Sequence, residues 1–437
     1  MNKITFDQIE KYRQAYESDR TARTMNAAMA KTELTDLAFI PMNAAKLRGD
    51  FSIELRTRGI TAQEKSGRCW MFAATNILRE IVAEKLNIKE FELSQNYLAF
   101  YDKFEKSNNY LEMIIENADK DLDDKMMHYL SSGIGDGGYW DMAVDLVKKY
   151  GAVPKYVMPE SYQSSHTERF MKLLNNLLKK DAAELRKMIH EGKLVSDRKD
   201  EMMSEIYKAL CIVFGEPVRT FDFEYRDENK EFHADYDLTP KEFYDKYIGN
   251  DLDQYICISN SPTEATPLDN YYKFHYTGSM AESDIHSLNL TMDEVQDLVI
   301  KQLQDNEPVW FACDAGAFGD RKQGVWDPDS FDYEGLLGGA SFEMEKSESL
   351  EYNQSSPTHA MILVGVNFDK NGEPNRWKIE NSWGKEVGMD GYFVCSQTYF
   401  RRYVYEAIVN KKYLTSAEKA LLEKEPIELT PWIGSVL

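Results

Sequence analysis

Gln63-Glu64-Lys65-Ser66-Gly67-Arg68-Cys69-Trp70-Met71-Phe72-Ala73-Ala74 is where the chain changes character. Upstream, residues 30 to 62 have mixed patterning and contain Pro41 and Gly49, which reads as an extended or looped arm. Downstream, Ile77, Leu78, Ile81, Val82 and Leu86 continue the apolar pattern at helical spacing. A stretch that is apolar around most of its circumference for two turns and one-sided afterwards predicts a helix whose N-terminal half is buried in the centre of a domain. A cysteine that opens such a helix lies beside unpaired amides and the positive end of the macrodipole, both of which favour a thiolate. Gly67 permits close backbone approach and Arg68 adds positive charge. Taken alone, a helix cysteine is ordinarily a small core hydrophobe, so its meaning rests on the residues around it.

Working outward, the 437 residues carry 52 basic and 74 acidic side chains, a net charge of −22. Such a surplus repels a nucleic-acid duplex or an anionic leaflet, so neither is an expected partner. The first 30 residues show no basic run followed by an apolar stretch, and the longest apolar runs, such as Ala360 to Val366, fall far short of the ~18 residues that span a bilayer. A soluble, cytoplasmic protein is expected. Five cysteines at 69, 211, 257, 313 and 395 form neither a disulfide framework nor a zinc spacing. They read as free thiols of a reducing compartment, with no metal and no cofactor implied.

Thr5 to Gln8 is a capping-box pattern, followed by Phe6, Ile9, Tyr12 and Tyr16 on one stripe, which predicts a short surface helix. Residues 166 to about 213 predict helices with one apolar stripe each, including Phe170, Leu174 and Leu178, then Met202, Ile206 and Leu210. Packing on each other as an accessory lobe is the simplest arrangement for them. Thr220 to Tyr225 alternates like a strand, and a short helix follows Thr239-Pro240. From Val309 the chain is strand-rich: Val309–Cys313, His359–Val366, Arg376–Ile379 and Tyr392–Cys395 are short apolar or alternating runs. Thr415 to Glu418 opens a last capped helix, after which Pro426 and Pro431 extend the tail to Leu437.

A reactive thiolate needs a base, a group that orients the base, and a donor for the oxyanion. Of seven histidines only His359 is embedded in an apolar, strand-like run. Twenty-two residues on comes Asn381-Ser382-Trp383-Gly384, where the asparagine oxygen can hold an imidazole and Trp383 can shield that bond from water. Gln63, six residues before the cysteine, can donate to an oxyanion together with the Cys69 backbone N–H. Singly, each of these residues has an ordinary structural reading. Together, in this order, they form a specific signal.

The set resembles the papain-like cysteine peptidases, over Gln63–Ala74, Thr358–Gly365 and Trp377–Phe393. Gly135-Asp136-Gly137-Gly138-Tyr139-Trp140 looks like that family's glycine-rich cleft wall, where exposed backbone pairs with substrate. Papain-type enzymes place the histidine ~130–150 residues after the cysteine, whereas here the gap is 290. The long interruption, the N-terminal extension and the phrases Ser94–Leu98, Leu238–Tyr244 and Glu380–Gly384 resemble the bleomycin hydrolase and aminopeptidase C group, including thiol peptidases of lactic-acid bacteria.

The resemblance implies an α+β, two-lobed papain-like fold, with a helical lobe, a β-barrel-like lobe and a helical hook insertion. On this reading residues 1–62 are an N-terminal helix and arm, 63–165 the helical lobe, 166–275 the hook, 276–425 the strand-rich lobe and 426–437 a C-terminal arm. Cys69, His359, Asn381 and Gln63 are the expected catalytic residues. Gly137, Gly138, Trp383 and Leu437 are expected to contact substrate, and six copies to assemble into a barrel. The implied activity is hydrolysis of short peptides through a thioester acyl-enzyme. In the family a C-terminal arm lies in the cleft and limits the enzyme to aminopeptidase action. The present ending, Thr430-Pro431-Trp432-Ile433-Gly434-Ser435-Val436-Leu437, is about two residues shorter, roughly 7 Å of extended reach. An endopeptidase or oligopeptidase therefore stands beside the aminopeptidase. More distant alternatives are an acyltransferase using the same residues, which an added amine acceptor would reveal, and a non-catalytic binding protein, whose Cys69 would not react with iodoacetamide.

Overall fold

The Cys69–Leu86 helix runs through the middle of the molecule in a computed structural model that describes residues 1–249 and 251–433. Trp70 to Arg79 are all buried. Arg68, at the entry, makes no side-chain cap bond, so no capping side chain covers the helix mouth at Cys69. Asn87 ends the helix in the left-handed conformation, at φ 50° and ψ 47°, which Asn tolerates.

Helices Gln95–Glu116, Trp140–Tyr150, Glu168–His190 and Ser196–Phe214 build one flank. The sequence suggested that the last two pack chiefly on each other; both instead lie mainly against Gln95–Glu116. That helix is buried at 16 of its 22 positions, so it offers one face to the centre and others to the apolar stripes. Its burial includes Asp102 and Lys103, which pair at 2.6 Å.

A hairpin follows, β1 (Phe221–Arg226) with β2 (Phe232–Leu238), as a separate two-stranded sheet. Phe221 and Phe223 anchor it on Phe243, with ring centroids 5.6 and 5.1 Å away. The other strands form a twelve-stranded mixed sheet. Its centre comprises β3 (Tyr255–Ser259), β4 (Val309–Cys313), β5 (His359–Phe368), β6 (Pro374–Glu380), β7 (Tyr392–Ser396) and β8 (Val404–Asn410). These run in the order β3–β8–β4–β5–β6–β7. Strands β4, β5 and β8 are buried on both faces for most of their length, which is why β4 and β5 read as continuous apolar runs. In β8 Glu406 interrupts the run, and the strand is not evident from sequence.

Antiparallel pairing sets the register. Ile362 opposite Glu380 brings the end of β6, and so Asn381, beside the start of β5 and His359. Ala360 and Glu406 both pair with Ala312, forming a row across β5, β4 and β8. One apolar core continues through both lobes, and the Trp310 indole N–H donates to the Trp70 carbonyl at 3.1 Å where they meet.

The N-terminal helix, Phe6–Ser18, carries the expected Thr5/Gln8 capping box and buries none of its residues. The arm that follows is not wholly extended, since it holds short helices at Leu34–Ala38 and Pro41–Ala44. All five cysteines are free. No helix among the described residues is long and apolar enough to cross a membrane.

Candidate active site

His359 opens β5 and is buried. Its Nε2–H donates to Asn381 Oδ1 at 2.9 Å. The same oxygen accepts the Ser382 backbone N–H at 2.7 Å, which identifies it as oxygen rather than amide nitrogen. Nδ1 is thereby left as the acceptor nitrogen of the neutral ring. Trp383 stacks on the imidazole, with ring centroids 4.8 Å apart and planes 24° from parallel, and the Arg321 guanidinium carbon lies 4.6 Å from the Trp383 ring centroid. Burial pushes the His359 imidazole down to about 4; the Asn381 bond opposes this and Arg321 adds to it.

Cys69 is the first residue of its helix and half-buried. Burial raises its thiol above the ordinary value, although backbone contacts from Ala360 and Trp70 pull the other way. The helix N-terminus alone, as read from sequence, would lower it. Desolvation is the larger effect here, because the sulfur sits where the two lobes close on it. Gln63 is buried and fixed at both ends of its amide: Oε1 accepts from Ser382 Oγ at 2.7 Å, and Nε2 donates to the Ser66 carbonyl at 2.7 Å. An amide nitrogen has two hydrogens, so one donor remains.

The glycine segment is held from behind. Lys106 Nζ donates to the Gly137 carbonyl at 2.6 Å and pairs with Asp102 at 3.0 Å. Asp136 Oδ2 accepts the Gly67 N–H at 2.7 Å and the Thr167 hydroxyl at 2.6 Å, while Oδ1 pairs with Lys103 at 2.7 Å. Burial alone would raise the Asp136 carboxyl, but Lys103 and these donors hold it well below the usual carboxylate range. A Cβ on Gly138 would lie 2.6 Å from the Trp70 ring, whereas one on Gly137 would meet nothing within 4 Å.

Gln63, Cys69, Gly137, Gly138 and His359 thus line one cleft of ≈ 620 Å³, together with Pro431. Asn381 and Trp383 stand behind the imidazole rather than on the cleft wall. Leu437 lies outside the described residues. Sequence reading missed Asp102, Lys103, Lys106 and Asp136, whose only signal was charge on an otherwise apolar helix face and within the Gly-rich phrase. It also missed Glu406. Among the described residues one grouping of His and acids is close enough to hold a metal ion, Asp227, Glu231 and His233. It lies at the β1–β2 turn, away from the cleft.

A nucleophile, a base oriented by an amide, and two free N–H donors in one cleft are the parts of covalent acyl transfer. Residues 3–434 match the family model described as the Peptidase C1-like family. The chain is 41% identical to aminopeptidase C of Listeria innocua over 434 residues, 98% of this chain and 97% of that protein. It is 38% identical to aminopeptidase G of Lactobacillus delbrueckii subsp. lactis, covering 99% of each. The crystal structure of PepW from Lactobacillus rhamnosis HN001 superposes with a TM-score of 0.95 at 40% identity, over 98% of both chains. The chain therefore belongs to the peptidase C1-like family and is a papain-like cysteine peptidase of the aminopeptidase C and bleomycin hydrolase group.

Proposed function

We propose that this peptidase removes residues from the N-terminus of short peptides through a thioester acyl-enzyme on Cys69. The observation that carries the chemistry is the His359–Asn381 hydrogen bond at the wall of the cleft that also holds Cys69. Aminopeptidase action is supported by the names of the curated relatives.

The Cys69 proton passes to His359 Nδ1 and the thiolate attacks the substrate carbonyl. Burial keeps each group neutral on its own, but the transfer places opposite charges side by side, where each stabilises the other. The tetrahedral oxyanion accepts from the Cys69 N–H and the remaining Gln63 Nε2–H. The imidazolium then protonates the departing amine, leaving a thioester. Water, losing a proton to His359, cleaves the thioester and restores the thiol. Asn381 keeps Nδ1 aimed forward throughout by accepting from Nε2. The Gly137–Gly138 backbone receives the peptide as an added strand.

The reading includes a cytoplasmic homohexamer. The uncovered stripe Phe6, Ile9, Tyr12 and Tyr16 is the kind of surface that self-association covers. Cleavage of a peptide series with free and acetylated N-termini tests the aminopeptidase assignment. Loss of cleavage on acetylation is expected; indifference to it would identify an endopeptidase.

A further inference from the structure

A cation without a partner stands beside the indole that backs His359. Arg321-Lys322-Gln323-Gly324 joins two short strands, Gly319–Asp320 and Val325–Trp326. Asp320 Oδ1 accepts the backbone N–H groups of Lys322 and Gln323 at 2.8 and 2.9 Å, and Gly324, at φ 67°, turns the chain back. The Arg321 carbonyl accepts the Gly388 N–H at 3.2 Å, and Trp326 packs edge-on against Trp383 at 5.9 Å. The turn is thereby fastened to the segment that follows Asn381, and the Arg321 guanidinium carbon rests 4.6 Å from the Trp383 ring centroid. Acids outnumber bases 74 to 52 in this chain, yet Arg321 is exposed and makes no ion pair or side-chain hydrogen bond among the described residues.

This placement works against the hydrolysis unless something covers it. An imidazolium must form on His359, and the Arg321 charge disfavours it. A carboxylate on the guanidinium would offset that repulsion. Geometry decides which part of the peptide can bring one. Gly137 and Gly138 share the cleft with His359, whereas Trp383 and Arg321 stand beyond the imidazole. The departing amine takes its proton from His359 at hydrogen-bond distance, so the residues after the scissile bond run out past the imidazole. Imidazole and guanidinium lie 4.8 and 4.6 Å from the same indole centroid and are separated by no more than those two lengths together. An extended residue spans ~3.5 Å, so a carboxylate one or two residues beyond the scissile bond falls within reach of Arg321.

We propose that Arg321 is a specificity residue for the leaving side of the peptide, its guanidinium receiving a carboxylate one or two residues beyond the scissile bond. The inference rests on the cleft being a peptide site. The carboxylate is either the C-terminus of a short peptide or an acidic side chain. A planar guanidinium offers it two parallel donors, and stacking on the indole keeps the fork in place.

The test is calorimetric binding to the full-length Cys69→Ala protein, so that it does not depend on turnover. One pair of probes is a tripeptide with a free or an amidated C-terminus. A second set, all amidated, carries glutamate or glutamine at each position in turn. At least one comparison is expected to favour the carboxylate by about five- to tenfold at low ionic strength, and by less at high salt. Preference in the first pair identifies the C-terminal carboxylate, and preference in the second an acidic side chain. Arg321→Met, which keeps a stem on the indole without the charge, should bring the ratio close to one. Arg321→Lys, which keeps the charge but loses the fork, should retain part of it. No carboxylate preference in either set, or one that survives Arg321→Met, overturns the proposal. Peptide cleavage by the protein with Cys69 intact is measured in parallel. A carboxylate preference without cleavage would sink the hydrolysis reading and leave the Arg321 site standing.

Discussion

The Arg79 guanidinium holds the Glu380 carboxylate at 3.0 Å, with the two side chains 1% and 0% exposed. The pair fastens the helix that begins at Cys69 to the strand that ends one residue before Asn381. Arg79 also pairs with Glu80 at 2.7 Å and donates to the Gly59 carbonyl at 2.8 Å, while Asn76 donates to Glu380 at 3.1 Å. A buried ion pair thus braces the helix of the nucleophile against the strand that leads to the histidine's partner, beside the Ser382–Gln63 hydrogen bond at 2.7 Å.

Breaking the pair from one side strands a buried charge. Arg79→Met or Glu380→Leu is expected to destabilise the fold by about 3–5 kcal/mol in denaturant unfolding. The double variant should recover part of that loss, because neither charge is then left unpaired. Additive losses would mean that the pair contributes no coupling.

Asn381→Ala removes the acceptor that fixes the imidazole. Positioned acid–base catalysis contributes ~10²–10⁴-fold, and losing the orientation should lower kcat by about 10- to 100-fold with KM little changed. Steady-state kinetics on a free-amino peptide measures it. Undiminished kcat would show that Trp383 stacking alone positions His359.

The buried histidine should also leave a mark on stability against pH. Its folded value is pushed down to about 4, against ~6.5 in an unfolded chain. Between these values the unfolded state binds a proton that the folded state does not, so stability rises with pH across the window. The contribution is complete above about pH 6.5 and is lost as pH falls through 4, at ~1.4 kcal/mol per unit, or about 3 kcal/mol in all. Urea unfolding of native protein and His359→Gln at both ends of the window should differ by that amount. Parallel pH curves would mean that the imidazole protonates freely in the fold.

The two neighbouring glycines should respond differently. Gly138→Ala places a Cβ 2.6 Å from the Trp70 ring and should destabilise by about 1–3 kcal/mol, as overpacking does. Gly137→Leu meets no obstacle from its Cβ, so the protein should fold normally while KM rises as the side chain occupies the cleft. Thermal unfolding separates the first effect and kinetics the second.

Much of this is legible in the sequence. Cys69, Gln63, His359 and Asn381 announce themselves because each sits at a change of pattern: the mouth of an apolar helix, the start of an apolar strand, the end of an alternating one. Strands β4 to β7 were readable for the same reason. The buried charges were not. Arg79, Asp102 and Lys103 occupy positions that look like the polar face of an amphipathic helix, and only the packing of a second layer reveals that their partners are on other elements or that they face inward. Glu406 hid β8 altogether, because a strand buried on both faces is recognised by an unbroken apolar run and the acid breaks it. The one-sided stripes of the two helices at Glu168–His190 and Ser196–Phe214 are plain in the sequence, but a stripe does not name what it packs on.

The most direct measurement of the proposed mechanism is the rate of short-peptide hydrolysis by a folded Cys69→Ala protein, compared with the native chain under the same conditions. No cleavage above the buffer rate is the expected result. Cleavage at the native rate by that variant would contradict the assignment of Cys69 as the nucleophile and, with it, the proposed mechanism.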